Sequence, residues 1–131
     1  MARGVAMILD TCGLLWLIHG GKKLSPQCLT AIREASTIYV SAISGFEIAT
    51  KAARGKLNLP KPANEWFKEA IEHFGLEILP VELDVCIAAA ELPFIHADPC
   101  DRLIIAAAKL HGLKVVTSDE NFEKYGVTVI S

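Results

Sequence analysis

The chain has no large excess of either charge, no paired-cysteine motif, no long apolar run, no internal repeat and no low-complexity tract. Each absence removes a class of function. Lys and Arg total 13 against 15 Asp and Glu, a formal charge of −2, so nothing marks a protein that coats nucleic acid through bulk charge. A nuclease stays open, because bound cations neutralise phosphates locally. Cys12, Cys28, Cys86 and Cys100 show neither CxxC nor Cys/His ligand spacing and read as reduced thiols of a cytosolic protein. The apolar run VAMIL ends after five residues at Asp10, too short for a signal-peptide core or a membrane span, so nothing directs the chain out of the cytoplasm. There is no P-loop and no GxGxxG, which leaves a nucleotide switch without support.

What the chain does have is apolar material in a regular order. At 131 residues and 52% hydrophobic it can bury the core of one domain, which we take as 1–131. Short β-rich runs, VAMILD at 5–10, TIYVS at 37–41, LEILPV at 76–81, KVVTS at 114–118 and VTVI at 127–130, alternate with helical patterns. Such alternation predicts an α/β domain with a mostly parallel sheet of about five strands. SPQ at 25–27 and DPC at 98–100 place a proline just inside a helix start, and FG and HG close two others. The Pro-rich NLPKPANE at 58–65 reads as a loop between helices.

Against this apolar background the acids stand out. Asp98 and Asp101 open the helix of HADPCDRLIIAAAKLHG, where Asp98 reads as N-cap and Asp101 as an N3 carboxylate favoured by the helix dipole. That account is strained by periodicity. Asp101, Ile104, Ile105 and Ala108 share one face, so Asp101 is turned toward the core, where an unpaired carboxylate is costly. Asp10 ends the first apolar strand and Asp119 follows KVVTS; each also reads as a cap. Glu47 lies beside Phe46 on a face expected to be partly buried, or else at its edge paired with Lys51 at i+4.

In an open parallel sheet, functional groups gather beyond the carboxyl ends of the strands, where strand order reverses. Asp10 and Asp119 lie at such ends, the helix begun by Asp98 and Asp101 starts at the same rim, and Glu47 is near it. Four or five carboxylates therefore converge. Like charges so close raise one another's pKa or require a cation, and an oxygen-only donor set favours Mg²⁺ or Mn²⁺ over zinc. Such sites serve phosphoryl chemistry, with phosphodiester hydrolysis the expected reaction.

The ordered set ILDT at 8–11, SAISGFEIATKAARGKL at 41–57, HADPCDRLIIAAAKLHG at 96–112 and VVTSDENFEKYG at 115–126 resembles the PIN-domain ribonucleases, specifically the VapC-type toxins of toxin–antitoxin pairs. The resemblance implies a three-layer α/β/α fold and a site in which Asp10, Glu47, Asp101 and Asp119 hold one or two Mg²⁺ or Mn²⁺ ions. Asp98 would be a fifth acid, and Thr11 and Ser118 would orient carboxylates or water. It also implies an RNA substrate, a homodimer and a cognate antitoxin that inserts a segment, often presenting an Arg, into the acidic groove. Relatives often carry an aromatic residue where this chain has Cys100, a change expected to affect packing rather than chemistry.

Other residues carry two readings each. Lys51, Arg54 and Lys56 are a solvated helix end, and also the first candidates to grip a phosphate backbone or an antitoxin. Arg102 either meets RNA or antitoxin, or neutralises Asp98. His96 is a lone loop histidine, exposed or hydrogen-bonded, with proton donation as the functional alternative. Trp16 and Trp66 read as core residues, with partner burial and base stacking respectively as alternatives. Among rival functions, a haloacid-type phosphatase lacks its second acid after Asp10, and a receiver module lacks an acid at the end of LEILPV. A degenerate binding module, and a nuclease acting on DNA or in RNA processing outside a toxin pair, complete the alternatives.

Overall fold

The computed structural model describes residues 4–131; residues 1–3 of the expected domain lie outside it. Strands and helices alternate in the order β1 (Ala6–Leu9), α1 (Thr11–Ile18), α2 (Pro26–Glu34), β2 (Thr37–Ser41), α3 (Ala42–Ala53), α4 (Ala63–Phe74), β3 (Leu76–Leu79), α5 (Leu83–Glu91), α6 (Pro99–His111), β4 (Lys114–Val116) and β5 (Val129–Ile130). The sheet runs β3-β2-β1-β4-β5 and every pairing is parallel. Chain order therefore reverses between β1 and β4, and both strands deliver their carboxyl ends to that point. Of the VTVI run only Val129 and Ile130 pair, and the DENFEKYG segment forms a single 3-10 turn, Glu123–Tyr125.

Strand alternation sorts the apolar residues into two layers. Met7, Leu9, Ile38, Val40 and Val116 point to one face, where Leu14 and Leu17 of α1, Cys28 and Ile32 of α2, Ile48 of α3 and Trp66 and Ala70 of α4 cover them. Ile8 and Val115 point to the other, under Val85 and Ala89 of α5 and Ile104, Ile105 and Ala108 of α6. This is the three-layer α/β/α arrangement. Burial of both faces explains why β1 reads as a continuous apolar run.

Trp66 is 4% exposed and packs edge-to-face on Phe67, so it stacks on no base. Trp16 is half-buried against the same layer, and the four cysteines are free thiols. Among the described residues no helix is long and apolar enough to cross a membrane.

Candidate active site

Asp10 stands directly beyond β1 and caps α1. Its Oδ1 accepts a hydrogen bond from Gly13 N at 2.7 Å and its Oδ2 one from Thr117 Oγ1 at 2.5 Å. Only 6% of the residue is exposed. Burial, reinforced by the charges of Asp101 and Asp119, outweighs those two hydrogen bonds and raises the Asp10 pKa from 3.8 to about 6. Capping and membership of an acidic cluster are thus combined in one residue.

Asp101, at the third position of α6, is also raised in pKa, chiefly by burial, with the charges of Asp98 and Glu47 adding and the bond to His96 opposing. Asp98 caps α6, its Oδ1 accepting from Cys100 N at 2.9 Å. Asp119 is the third residue after β4, and its Oδ1 accepts from Asn121 N at 2.9 Å. Burial and the charges of Glu47, Asp98 and Asp101 push the Cys100 thiol up to about 11 and keep it protonated at neutral pH. The structure therefore brings Asp10, Glu47, Asp98, Asp101 and Asp119 to one rim of the sheet.

Glu47 reaches this rim from the middle of α3. Its Oε2 accepts from Lys51 Nζ at 3.2 Å, while its Oε1 is buried with no hydrogen-bond partner. Phe46, expected beside it on a partly buried face, is instead 64% exposed, because α3 turns that side outward. An orphaned buried carboxylate oxygen next to raised-pKa aspartates fits a hard divalent cation with oxygen ligands. Asp10, Glu47, Asp101 and Asp119 are the residues that would hold it.

Four expectations are corrected by side-chain placement. Arg102 meets neither RNA nor Asp98: it is 6% exposed, and its guanidinium donates to the carbonyls of Ala89 and Leu92 at 2.8 Å and of Pro93 at 2.9 Å. One residue along a helix is a rotation of about 100°, which carries Arg102 from the acidic rim into the layer under α5. Ser118 is exposed, and the hydroxyl that orients a carboxylate belongs to its neighbour Thr117, which is buried. Thr11 does not orient an acid; its hydroxyl is paired with Ser44 Oγ at 2.9 Å, tying α1 to α3. Finally, the acids are not free of nitrogen donors: His96 Nε2 lies 2.7 Å from Asp101 Oδ2 and 3.4 Å from Asp119 Oδ2.

Of the basic residues, Lys51 is committed to Glu47, and Arg54 and Lys56 are exposed just past the end of α3. The acids line an open rim. A cavity of about 640 Å³ lined by Ile18, His19, Trp66 and His73 contains none of them.

An α/β domain with a buried Asp10 and further, partly buried acids at its strand-order reversal is the general class these observations define. The chain belongs to the PIN-domain family, whose model matches residues 7–127. Ribonuclease VapC22 of Mycobacterium tuberculosis is 32% identical over 120 residues, 91% of each chain. Among solved structures, VapBC2 from Rickettsia felis, bound to a DNA fragment from its promoter, superposes with a TM-score of 0.70 at 18% identity over 95% of this chain and 97% of that one. FitAcB from Neisseria gonorrhoeae gives 0.68 at 22% identity over 95% and 96%. These two share the fold.

Proposed function

We propose that the protein is a divalent-metal-dependent endoribonuclease, the toxin of a toxin–antitoxin pair, acting in the cytoplasm with residues 1–131 as one nuclease domain. The observation that carries this reading is Asp10, 6% exposed and raised in pKa by its burial and by the charges of Asp101 and Asp119, in a cluster where Glu47 Oε1 is buried without a partner. Proteins do not gain stability from such a cluster; a cation resolves it. The 32% identity to a protein named as a ribonuclease supports RNA as the substrate.

Asp10, Glu47, Asp101 and Asp119 would hold Mg²⁺ or Mn²⁺, with Asp98 as a fifth acid. When bound, the cation supplies an acidified water for in-line attack and charge neutralisation at the leaving oxygen. The chain's own residues fix the ligands. Gly13 N and Thr117 Oγ1 hold the two oxygens of Asp10, and Lys51 holds Oε2 of Glu47 and leaves Oε1 to the site. Arg54 and Lys56, exposed past the end of α3, are the groups we assign to the RNA backbone, while Lys51 stays on Glu47.

An antitoxin and a second copy of the chain are the assigned protein partners. Complexes named VapBC among the structural neighbours support the first. Exposed Leu83 and Ile87, one turn apart on α5, support the second, since an apolar helix stripe open to solvent suits a covered surface.

The test is cleavage of RNA by the purified protein. Cleavage is expected with Mg²⁺ or Mn²⁺, is abolished by a chelator, and falls on the order of a hundredfold or more in Asp10→Asn and Asp101→Asn. Equal cleavage by these variants would contradict the assignment.

A further inference from the structure

His96 has no part in the chemistry assigned to the acids above, yet it points into them. His96, Asp101 and Asp119 each offer a ligand atom, and the three atoms lie within 4.8 Å of one another. Nε2 is 2.7 Å from the first oxygen and 3.4 Å from the second. On an octahedral ion with bonds of about 2.1 Å, adjacent donors stand roughly 3 Å apart. The two separations bracket that value, and an ion seated between the three side chains would take the place of the Nε2–Asp101 Oδ2 hydrogen bond.

The segment that carries His96 is firmly held. Its backbone N–H donates to Tyr125 Oη at 2.8 Å, the Ile95 N–H donates to the same oxygen at 3.2 Å, and Tyr125 Oη donates to Pro93 O at 2.9 Å. Arg102 adds the Leu92, Pro93 and His96 carbonyls, the last at 3.3 Å. A buried guanidinium and a buried phenol thus brace one short connection between α5 and α6, and its imidazole is what that connection delivers to the acids. Such bracing characterises ligands kept in place for a metal.

We propose that His96 is a direct ligand, through Nε2, of a cation shared with Asp101 and Asp119, and that this nitrogen makes the site prefer Mn²⁺ or another first-row transition ion over Mg²⁺. Imidazole suits such ions, whereas Mg²⁺ is served by oxygen donors. Ligation takes the neutral imidazole, with its proton on Nδ1 and the Nε2 lone pair facing the ion. The inference rests on the metal-site reading above and adds the identity of one ligand and the metal class.

The experiment is electron-spin-echo spectroscopy of the full chain loaded with Mn²⁺ alone, together with Mn²⁺ and Mg²⁺ titrations, on the parent, His96→Gln, Asp10→Asn and Asp101→Asn. The parent is expected to show coupling of the Mn²⁺ spin to an imidazole nitrogen, and His96→Gln to lose it. That variant should bind Mn²⁺ on the order of tenfold to a hundredfold more weakly, with Mg²⁺ affinity changed by less than about threefold. Mn²⁺ bound to the parent without nitrogen coupling, or coupling that survives in His96→Gln, overturns the inference and leaves the carboxylate site standing. Failure of the parent to bind Mn²⁺, or binding unaffected by Asp10→Asn and Asp101→Asn, overturns both.

Discussion

The hydroxyl of Thr117 donates to Asp10 Oδ2 at 2.5 Å, joining the carboxyl ends of β4 and β1 across 107 residues of sequence. Thr117 Oγ1 in turn accepts the Asp119 N–H at 3.0 Å, so one buried threonine positions two acids. Its bond favours the ionised form of Asp10 against the effect of burial. Without metal, Thr117→Val is therefore expected to raise the Asp10 pKa further and move the Asp10-dependent change of stability to higher pH in denaturant melts, with Thr117→Ser retaining the parent profile. An unmoved transition in Thr117→Val would show that the bond does not set the ionisation.

Asp10 also makes stability depend on pH. A carboxyl raised from 3.8 to about 6 in the folded state binds its proton more tightly there than in the unfolded chain. Its contribution favours folding at low pH and is lost as pH rises from about 4 through about 6. At about 1.4 kcal/mol per pH unit the difference is worth on the order of 3 kcal/mol. Without metal, the stability difference between Asp10→Asn and the parent should grow in favour of the variant across that window. Denaturant melts at a series of pH values measure it; a constant difference would contradict the assignment.

Gly13 is placed by the acid it serves. A Cβ there would lie 2.9 Å from Asp10 Oδ1 and 3.1 Å from Val116 O, and the second contact is with backbone that cannot swing away. Helix propensity alone favours alanine by about 1 kcal/mol. The close contacts reverse that expectation: Gly13→Ala should show no gain in melting temperature and should lose cleavage activity on the order of tenfold to a hundredfold through a displaced Asp10. A more stable, fully active variant would refute it.

Arg102 is expected to matter for stability rather than for RNA. Arg102→Met leaves the Leu92 carbonyl without a donor and takes the strongest side-chain donor from those of Ala89 and Pro93, which keep the Leu92 N–H and the Tyr125 hydroxyl respectively. The loss should be about 3 kcal/mol, which for a domain of this size lowers the melting temperature by roughly 10 °C. Arg102→Lys should recover little, because an ammonium cannot span the same carbonyls. The salt dependence of RNA binding should be unchanged in whatever fraction remains folded. A variant that melts like the parent but binds RNA weakly would identify Arg102 as a contact residue.

What was legible in the sequence follows from periodicity. Asp10 interrupts an apolar run, and Asp101 shares a helical face with Ile104, Ile105 and Ala108, three residues that are buried; regular spacing converts directly into position. The α/β order and the sheet were legible for the same reason. His96 was not, because it lies in a loop without period and its orientation is set by Tyr125 and Arg102, neither of them predictable as its neighbours. Arg102 carried a faint signal: it falls on the stripe of Ile105 and Ala106, both buried, at i+3 and i+4. Choosing Ser118 over Thr117 amounts to an error of one residue where β4 ends, at Val116, and one residue there decides between a buried and an exposed hydroxyl.

The claim that unites these observations is that the acids are a mutually repelling cluster that requires a cation. The most direct test is the melting temperature at pH 7.5 against Mn²⁺ concentration for the parent and Asp10→Asn. Asn still caps α1, since it accepts from Gly13 N as Asp does, and it removes the buried charge. The parent should gain stability steadily with Mn²⁺, while Asp10→Asn melts higher without metal and gains little from it. If Mn²⁺ leaves the parent unchanged and Asp10→Asn melts no higher, the acids serve only as caps and surface charge, and the proposed metal site is wrong.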